Sequence, residues 1–174
     1  MKKKFNKKKG ILFWITGLSG SGKTSLGKKI FSYIKNNFGA TILISGDDIR
    51  KIFGLKKYDP KSRIKYLGYY TKFCKKITDQ GTNVIICVVG LSNVVRSNNR
   101  KTFPNYVEIF VSSNVHLIKK FNKKKVYKLK KNIWGVDIKP EFPRRPHITI
   151  NNDFSKSLAG LSKELESKIK KIYL

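Results

Sequence analysis

Apolar residues along this chain come in two alternating spacings, short unbroken runs and stripes of three-to-four-residue period, and these predict strands and helices in turn. Ile11-Leu12-Phe13-Trp14-Ile15-Thr16 is a run of the first kind and predicts a strand over 11–16. From about 22 to 37 the helical period takes over, with Leu26, Ile30, Tyr33, Ile34 and Phe38 on one face and Asn37 and Gly39 as the stop. Thr41 to Ser45 reads as a second strand. Gly46-Asp47-Asp48 follows, where an aspartate caps a short helix reaching about Phe53. Pro60 and Lys61 open a longer helix that ends by Gly81, with Ile64, Leu67, Tyr70, Phe73, Cys74 and Ile77 on a common side. Val84 to Val89 is continuously apolar, as a central parallel strand is when both its faces are covered. A helix over roughly 93–101, a strand from Tyr106 to Val111, a helix over about 114–121, a short strand from His147 to Ile150 and a last amphipathic helix from about Ser155 to Ile172 complete the series.

Strict alternation of strand and helix implies an α/β fold, a central parallel sheet flanked by helices on both faces. Ligands in such sheets sit beyond the carboxyl ends of the strands, so the chain around Thr16, Ser45 and Val89 is expected to converge on a site. The pattern breaks from Asn122 to Pro146, a basic stretch that holds Pro140, Pro143 and Pro146. A mobile lid and a disordered insert both fit it. The expected organisation is a basic tail over 1–10 and one domain over 11–174, with the lid-like segment at about 122–146.

The first strand runs straight into Gly17-Leu18-Ser19-Gly20-Ser21-Gly22-Lys23-Thr24, which reads G-x-x-x-x-G-K-T, with Ser25 next. Glycines let the backbone fold tightly enough to turn successive N–H groups toward an anion, Lys23 reaches the β/γ-phosphates, and the Thr24 hydroxyl ligates Mg²⁺. The helix that follows points the positive end of its dipole at the same place. Strand, loop and helix in that order predict a P-loop NTPase fold that binds ATP or GTP, with residues 17–25 as the nucleotide site.

Composition narrows the classes further. In 174 residues, 39 Lys+Arg stand against 10 Asp+Glu, a formal net charge of +29 that attracts any polyanion. The lysines are scattered through every predicted helix instead of gathering in a stripe, so a composition bias explains them better than nucleic-acid recognition as the main task. The apolar run at the start is too short for a secretion signal and none is long enough to span a membrane, so a soluble cytoplasmic protein is expected. Cys74 and Cys87 are isolated, and a disulfide framework or zinc site is not expected.

Phosphoryl transfer needs a carboxylate near the metal and the attacking hydroxyl. The strand at 84–89 ends in Gly90 with no acid beside it, whereas the strand at 41–45 is followed by Asp47 and Asp48. Arg50, close to Asp47 on the same short helix, adds a cation for an anionic substrate. An aspartate here is either a helix cap or the catalytic carboxylate, and one residue could do both.

These residues resemble the adenylylsulfate kinase family, over nearly the whole chain from Ile11 onward. The marks are the loop GLSGSGKT, Gly46-Asp47-Asp48-Ile49-Arg50 for the family's D-G-D-N-I-R, and Arg63 with Gly81. Further on stand Arg96, Arg100, the stretch Asn105-Tyr106-Val107-Glu108-Ile109-Phe110-Val111, and Gly135-Val136-Asp137 with Pro143 and Pro146. The resemblance implies transfer of the γ-phosphate of ATP to the 3′-hydroxyl of adenosine 5′-phosphosulfate with Mg²⁺, by a homodimer. It assigns Lys23 and Asp47 to catalysis, Thr24 and Asp47 to the metal, directly or through water, and Arg50 and Arg63 to the phosphosulfate. Tyr58 is implied to stack on the acceptor base, with Ile133 and Trp134 opposite, and Lys124, Tyr127 and Glu141 to belong to the lid.

The acceptor end departs from the family pattern. Ser45 stands for the first aspartate of D-G-D, Tyr66 for an asparagine, and Gly68 and Tyr69 for two arginines. Gly90 and Leu91 replace a serine and a proline, and Ile133 replaces the second aromatic of the base sandwich. Another nucleotide, such as the cytidine diphosphoramidate used by some proteins of this kind, is therefore an alternative acceptor. A basic nucleic-acid-binding protein switched by nucleotide is an alternative of a different class.

Overall fold

The strand Leu12–Thr16 (β1) is flanked on both sides by parallel neighbours, Asn83–Cys87 (β3) and Tyr106–Ser112 (β4). Thr41–Ser45 (β2) and Ile148–Asn151 (β5) form the edges of this five-stranded sheet, ordered β2-β3-β1-β4-β5 and parallel throughout. Helices Lys23–Phe38 (α1), Gly46–Ile52 (α2), Pro60–Thr78 (α3), Asn93–Thr102 (α4), Val115–Phe121 (α5) and Leu158–Tyr173 (α6) connect and cover the strands. The structure, a computed structural model, describes residues 6–121 and 132–173. The α/β class and the P-loop architecture expected from the alternation are what the chain adopts.

Period-two alternation in the central strands builds two cores. Phe13, Ile15, Ile85, Cys87, Val107 and Ile109 meet Leu26, Ile30 and Ile34 of α1 and Leu161, Leu165 and Ile169 of α6 on one face. Leu12, Trp14, Val84, Ile86 and Tyr106 meet Leu67, Tyr70 and Cys74 of α3 with Ile49 of α2 and Val95 of α4 on the other. Gly27 lets α1 approach closely, since a Cβ there would lie 2.6 Å from the Cys87 sulfur. Both cysteines are free and buried, and burial pushes their thiols up to about 12.

Two polar arrangements bind distant segments to the sheet. Asn105 Nδ2 donates to the carbonyls of Asn6 and Lys9, while Asn6 N donates back to Asn105 Oδ1 (3.0 Å). Residues 6–10 of the expected tail are thus fastened at the amino end of the sheet. Glu108, 1% exposed in β4, pairs with Arg96 Nε (3.4 Å) and Arg100 Nη2 (2.8 Å) of α4. Arg96 also donates to the carbonyls of Gly90 (3.0 Å) and Glu141 (2.6 Å), so one buried guanidinium joins helix, strand, loop and the 132–146 segment. Burial raises the Glu108 carboxyl above its ordinary range against the pull of Arg100 and Arg96.

Among the described residues no helix is long and apolar enough to cross a membrane. Element boundaries follow the sequence pattern closely, apart from β3, which leaves the ladder at Cys87 instead of Val89. Val88 N still donates to Ile15 O (2.9 Å), but the chain then turns through Gly90 at φ +46°.

Candidate active site

The phosphate-binding loop is shaped by its glycines. Gly20 and Gly22 sit at φ +80° and +93°, left-handed conformations that side-chain-bearing residues rarely take, and Gly22 is the residue from which α1 starts. Lys23 is only 7% exposed, and its Nζ donates to the Leu18 carbonyl (2.6 Å) across the loop. Thr24 and Ser25 lie exposed on the first turn of α1. Thr16 Oγ1 donates to Val89 O (2.6 Å), tying the end of β1 to the chain beyond β3.

One further residue holds this loop. Asn152, 7% exposed just past β5, donates from Nδ2 to Ser21 O (3.0 Å) and accepts Phe154 N–H on Oδ1 (3.1 Å). Its contact spans 131 positions of sequence, so no local signal announces it.

Beside the loop, α2 is started by Ser45 and not by an aspartate as expected. Ser45 Oγ accepts the Asp48 N–H (3.1 Å), while the Asp48 carboxylate accepts from Ser45 N (2.9 Å) and Ser45 Oγ (2.7 Å), a complete capping box. These hydrogen bonds, the hydroxyl's first, hold the Asp48 carboxyl below its usual range. Asp47 has no part in the cap and lines the cleft next to it.

That cleft, of about 290 Å³, opens beyond the carboxyl ends of β1, β2 and β3. Ser19, Gly20, Lys23 and Thr24 form one wall, and Gly46, Asp47 and Arg50 form a second. Tyr58, Arg63, Tyr66, Leu67 and Tyr70 come from the start of α3 and the loop before it, and Val88 to Gly90 with Ile133 and Trp134 close the remainder. Lys23, Asp47, Arg50 and Arg63, picked from three separate stretches of sequence, share this one cavity.

Both acceptor-side arginines are already ordered. Arg50 Nη1 donates to the carbonyls of Leu55 (2.9 Å) and Lys57 (3.0 Å), and its guanidinium lies 4.2 Å from the Tyr58 ring centroid and 5.1 Å from that of Tyr66. Arg63 donates from Nε to Tyr58 O (2.7 Å) and from Nη2 to Asn132 O (2.8 Å). Burial, then the neighbouring Arg50 charge, lowers the Arg63 pKa. Among the described residues no hydrogen bond engages Nη2 of Arg50 or Nη1 of Arg63, so each keeps donors for an anion.

Trp134 packs with Leu18, Leu91 and Ile118, joining the nucleotide loop to the opposite wall through an apolar cluster. Glu141 lies away from the cavity, at the start of α4, where its carboxylate accepts Asn93 N–H (2.6 Å). Lys124 and Tyr127 fall outside the described residues.

The donor set suits magnesium. Thr24 and Asp47 each bring one oxygen-bearing side chain to the cleft, and among the described residues no cluster of three His, Cys, Asp or Glu side chains could cage a metal. Mg²⁺ commonly takes one or two protein ligands and completes its shell with phosphate and water.

The family model for adenylylsulphate kinase matches residues 9–151. The chain is similar to the cytidine diphosphoramidate kinase of Campylobacter jejuni, 33% identical over 168 residues that cover 94% of this chain and 96% of the relative. It is also similar to the adenylyl-sulfate kinase of Clostridium kluyveri, 28% identical over 88% of this chain and 80% of that one. Among solved structures it superposes on the Mycobacterium tuberculosis APS kinase in complex with AMPPNP and APS, with a TM-score of 0.82 at 19% identity, over 93% and 98% of the two chains.

Proposed function

This chain belongs to the adenylylsulphate kinase family of ATP-dependent phosphotransferases, and from that premise we propose that it phosphorylates a sugar hydroxyl of a 5′-substituted, anionic nucleotide. The observation that carries the reading is the sharing of one cleft by Lys23 and Thr24 on the donor side and Asp47, Arg50 and Arg63 on the acceptor side.

Donor binding follows from the loop. Its backbone N–H groups and the α1 dipole meet the phosphates, and the Lys23 ammonium exchanges the Leu18 carbonyl for the β/γ-phosphate oxygens as ATP enters. Thr24 and Asp47 would hold Mg²⁺, which when bound neutralises charge developing on the transferred phosphoryl group. Asp47 accepts the proton of the attacking hydroxyl, its place in the chain fixed by the capping box between Ser45, two residues before it, and Asp48, directly after it. Arg50 and Arg63 use their remaining N–H donors to hold the acceptor's anionic arm, which sets the hydroxyl in line.

For the acceptor itself, three observations favour a cytidine nucleotide of the diphosphoramidate kind over adenosine 5′-phosphosulfate. Identity is 33% to the cytidine diphosphoramidate kinase and 28% to the adenylyl-sulfate kinase. Arg50 already covers a face of Tyr58, and Ile133 offers no ring to complete a purine sandwich. Trp134, the neighbouring aromatic, is occupied in the cluster with Leu18, Leu91 and Ile118. Adenosine 5′-phosphosulfate remains the second reading, favoured by the family match. A second copy of the chain as partner belongs to the same proposal and is read by analytical ultracentrifugation.

Purified protein with Mg-ATP and each acceptor in turn, assayed by ADP release, separates the two. Turnover on the cytidine nucleotide with little on adenosine phosphosulfate supports the first reading, and the reverse preference supports the second.

A further inference from the structure

Tyr70 lines the cleft at 3% exposure, yet its hydroxyl is buried and has no hydrogen-bond partner among the described residues. Leaving such a group unpaired is costly, and folded proteins avoid it unless a partner arrives from elsewhere. Apolar packing alone does not call for the oxygen: the residue belongs to the buried cluster that holds Leu12, Trp14 and Leu67, where phenylalanine would serve.

Its neighbours locate the hydroxyl in the acceptor half of the cleft. A Cβ placed on Gly46 would lie 3.8 Å from Tyr70 Cε2, so the ring edge abuts the first turn of α2, next to Asp47. Arg50, Asp47, Tyr66 and Tyr58 all act electrostatically on the phenol. Tyr66 lines the same cavity one helical turn earlier on α3. Burial raises the phenol's pKa, so at neutral pH it keeps its proton and is a donor.

We propose that Tyr70 is a specificity-determining residue of the acceptor site, its hydroxyl donating a hydrogen bond to an oxygen or ring nitrogen of the bound acceptor nucleotide. This rests on the kinase reading above. Arg50 keeps its hold on Tyr58, Tyr66 and the Leu55 and Lys57 carbonyls while its remaining N–H donors meet the acceptor's anionic arm, and the nucleotide then supplies the partner the phenol lacks. The site discriminates because a nucleotide without a suitable acceptor atom leaves the phenol unpaired in a desolvated pocket.

The test is Tyr70→Phe, which removes one oxygen and keeps the ring. Mg-ATP turnover with CDP and with adenosine 5′-phosphosulfate is measured beside titration of the ADP-bound protein with each nucleotide. The proposal expects KM and Kd for the preferred acceptor to rise about tenfold, the size of one buried hydrogen bond, with KM for ATP unchanged. It also expects preference between the two acceptors to narrow and the unliganded Tm to stay level or rise. Unchanged acceptor constants, or equal weakening of ATP and acceptor with a lowered Tm, would overturn it while the wild-type turnover left the kinase reading intact. Wild-type protein that turns over neither nucleotide and binds neither would remove both.

Discussion

Ser45 and Asp48 cap each other: the serine hydroxyl accepts the Asp48 N–H, and the Asp48 carboxylate takes both the N–H and the O–H of Ser45. The exchange settles which of two adjacent aspartates serves the helix. Asp48 is spent on the cap, and Asp47 lines the cleft with Lys23. Catalysis and capping are therefore separable by substitution. Asp47→Asn is expected to lower turnover by ~10²-fold or more with ATP affinity and Tm little changed. Ser45→Ala is expected to cost about 1 kcal/mol of stability as the cap is lost. Steady-state kinetics and urea unfolding on both variants check the division, and full activity in Asp47→Asn would mean another group takes the proton.

The same cap gives a pH dependence of known sign. Hydrogen bonds from Ser45 depress the Asp48 carboxyl below its ordinary 3.8, so the folded state favours the ionised form. That contribution is present above pH 3.8 and is lost as pH falls through the lower folded value. Urea unfolding of wild type and Asp48→Asn at pH 7 and near pH 3 should show a stability gap that narrows in acid. A gap of equal size at both would contradict the assignment.

Much of this was legible in the chain because each strand is a short apolar run between turn signals and each helix carries an apolar stripe. The phosphate loop was legible for a different reason, its chemistry being local and contiguous. Long-range polar contacts were not. Asn152 looks like any polar residue ending an edge strand, and only the fold brings it to Ser21. Glu141 reads as part of a lid, yet it caps α4 at Asn93, 48 residues earlier in the chain. Ser45 was visible only as a missing family aspartate, since a capping box also demands that its residue 45 backbone be extended, at φ −106° and ψ 157°. Gly90 likewise reads as a lost serine. In the fold its φ of +46° and the Trp14 indole, 3.0 Å from where a Cβ would stand, both favour glycine over a residue with a side chain.

Asn152 should matter to the donor and not to the acceptor. Asn152→Ala removes the donor that fixes the Ser21 carbonyl and the acceptor for Phe154 N–H. Weaker ATP binding by about fivefold to tenfold, the scale of one or two hydrogen bonds, with an unchanged acceptor KM is the expected result. Calorimetric titration with ADP and with the acceptor reads both, and equal loss for the two would show that Asn152 does not serve the donor site alone.

Arg96 is expected to be the costliest single truncation outside the cleft. Arg96→Ala leaves buried Glu108 with Arg100 as its one remaining ion-pair partner among the described residues and frees the carbonyls of Gly90 and Glu141. A loss of ~3–5 kcal/mol is expected when one partner of a buried pair is removed. Lysine in its place restores the charge but not the several N–H donors, so rescue should be partial. Urea unfolding measures both variants, and a loss below about 1 kcal/mol in Arg96→Ala would show that the buried network carries little stability.

The most direct test of the shared cleft is acceptor-dependent phosphoryl transfer by wild type beside Lys23→Ala and Asp47→Asn. With γ-labelled ATP, Mg²⁺ and a cytidine or adenosine nucleotide acceptor, ADP is expected to be released only when acceptor is present, with the label on a sugar hydroxyl. No detectable transfer is expected in Lys23→Ala, and transfer slowed by about a hundredfold in Asp47→Asn. ATP consumption that ignores the acceptor, or label transfer indifferent to both substitutions, would contradict the shared cleft.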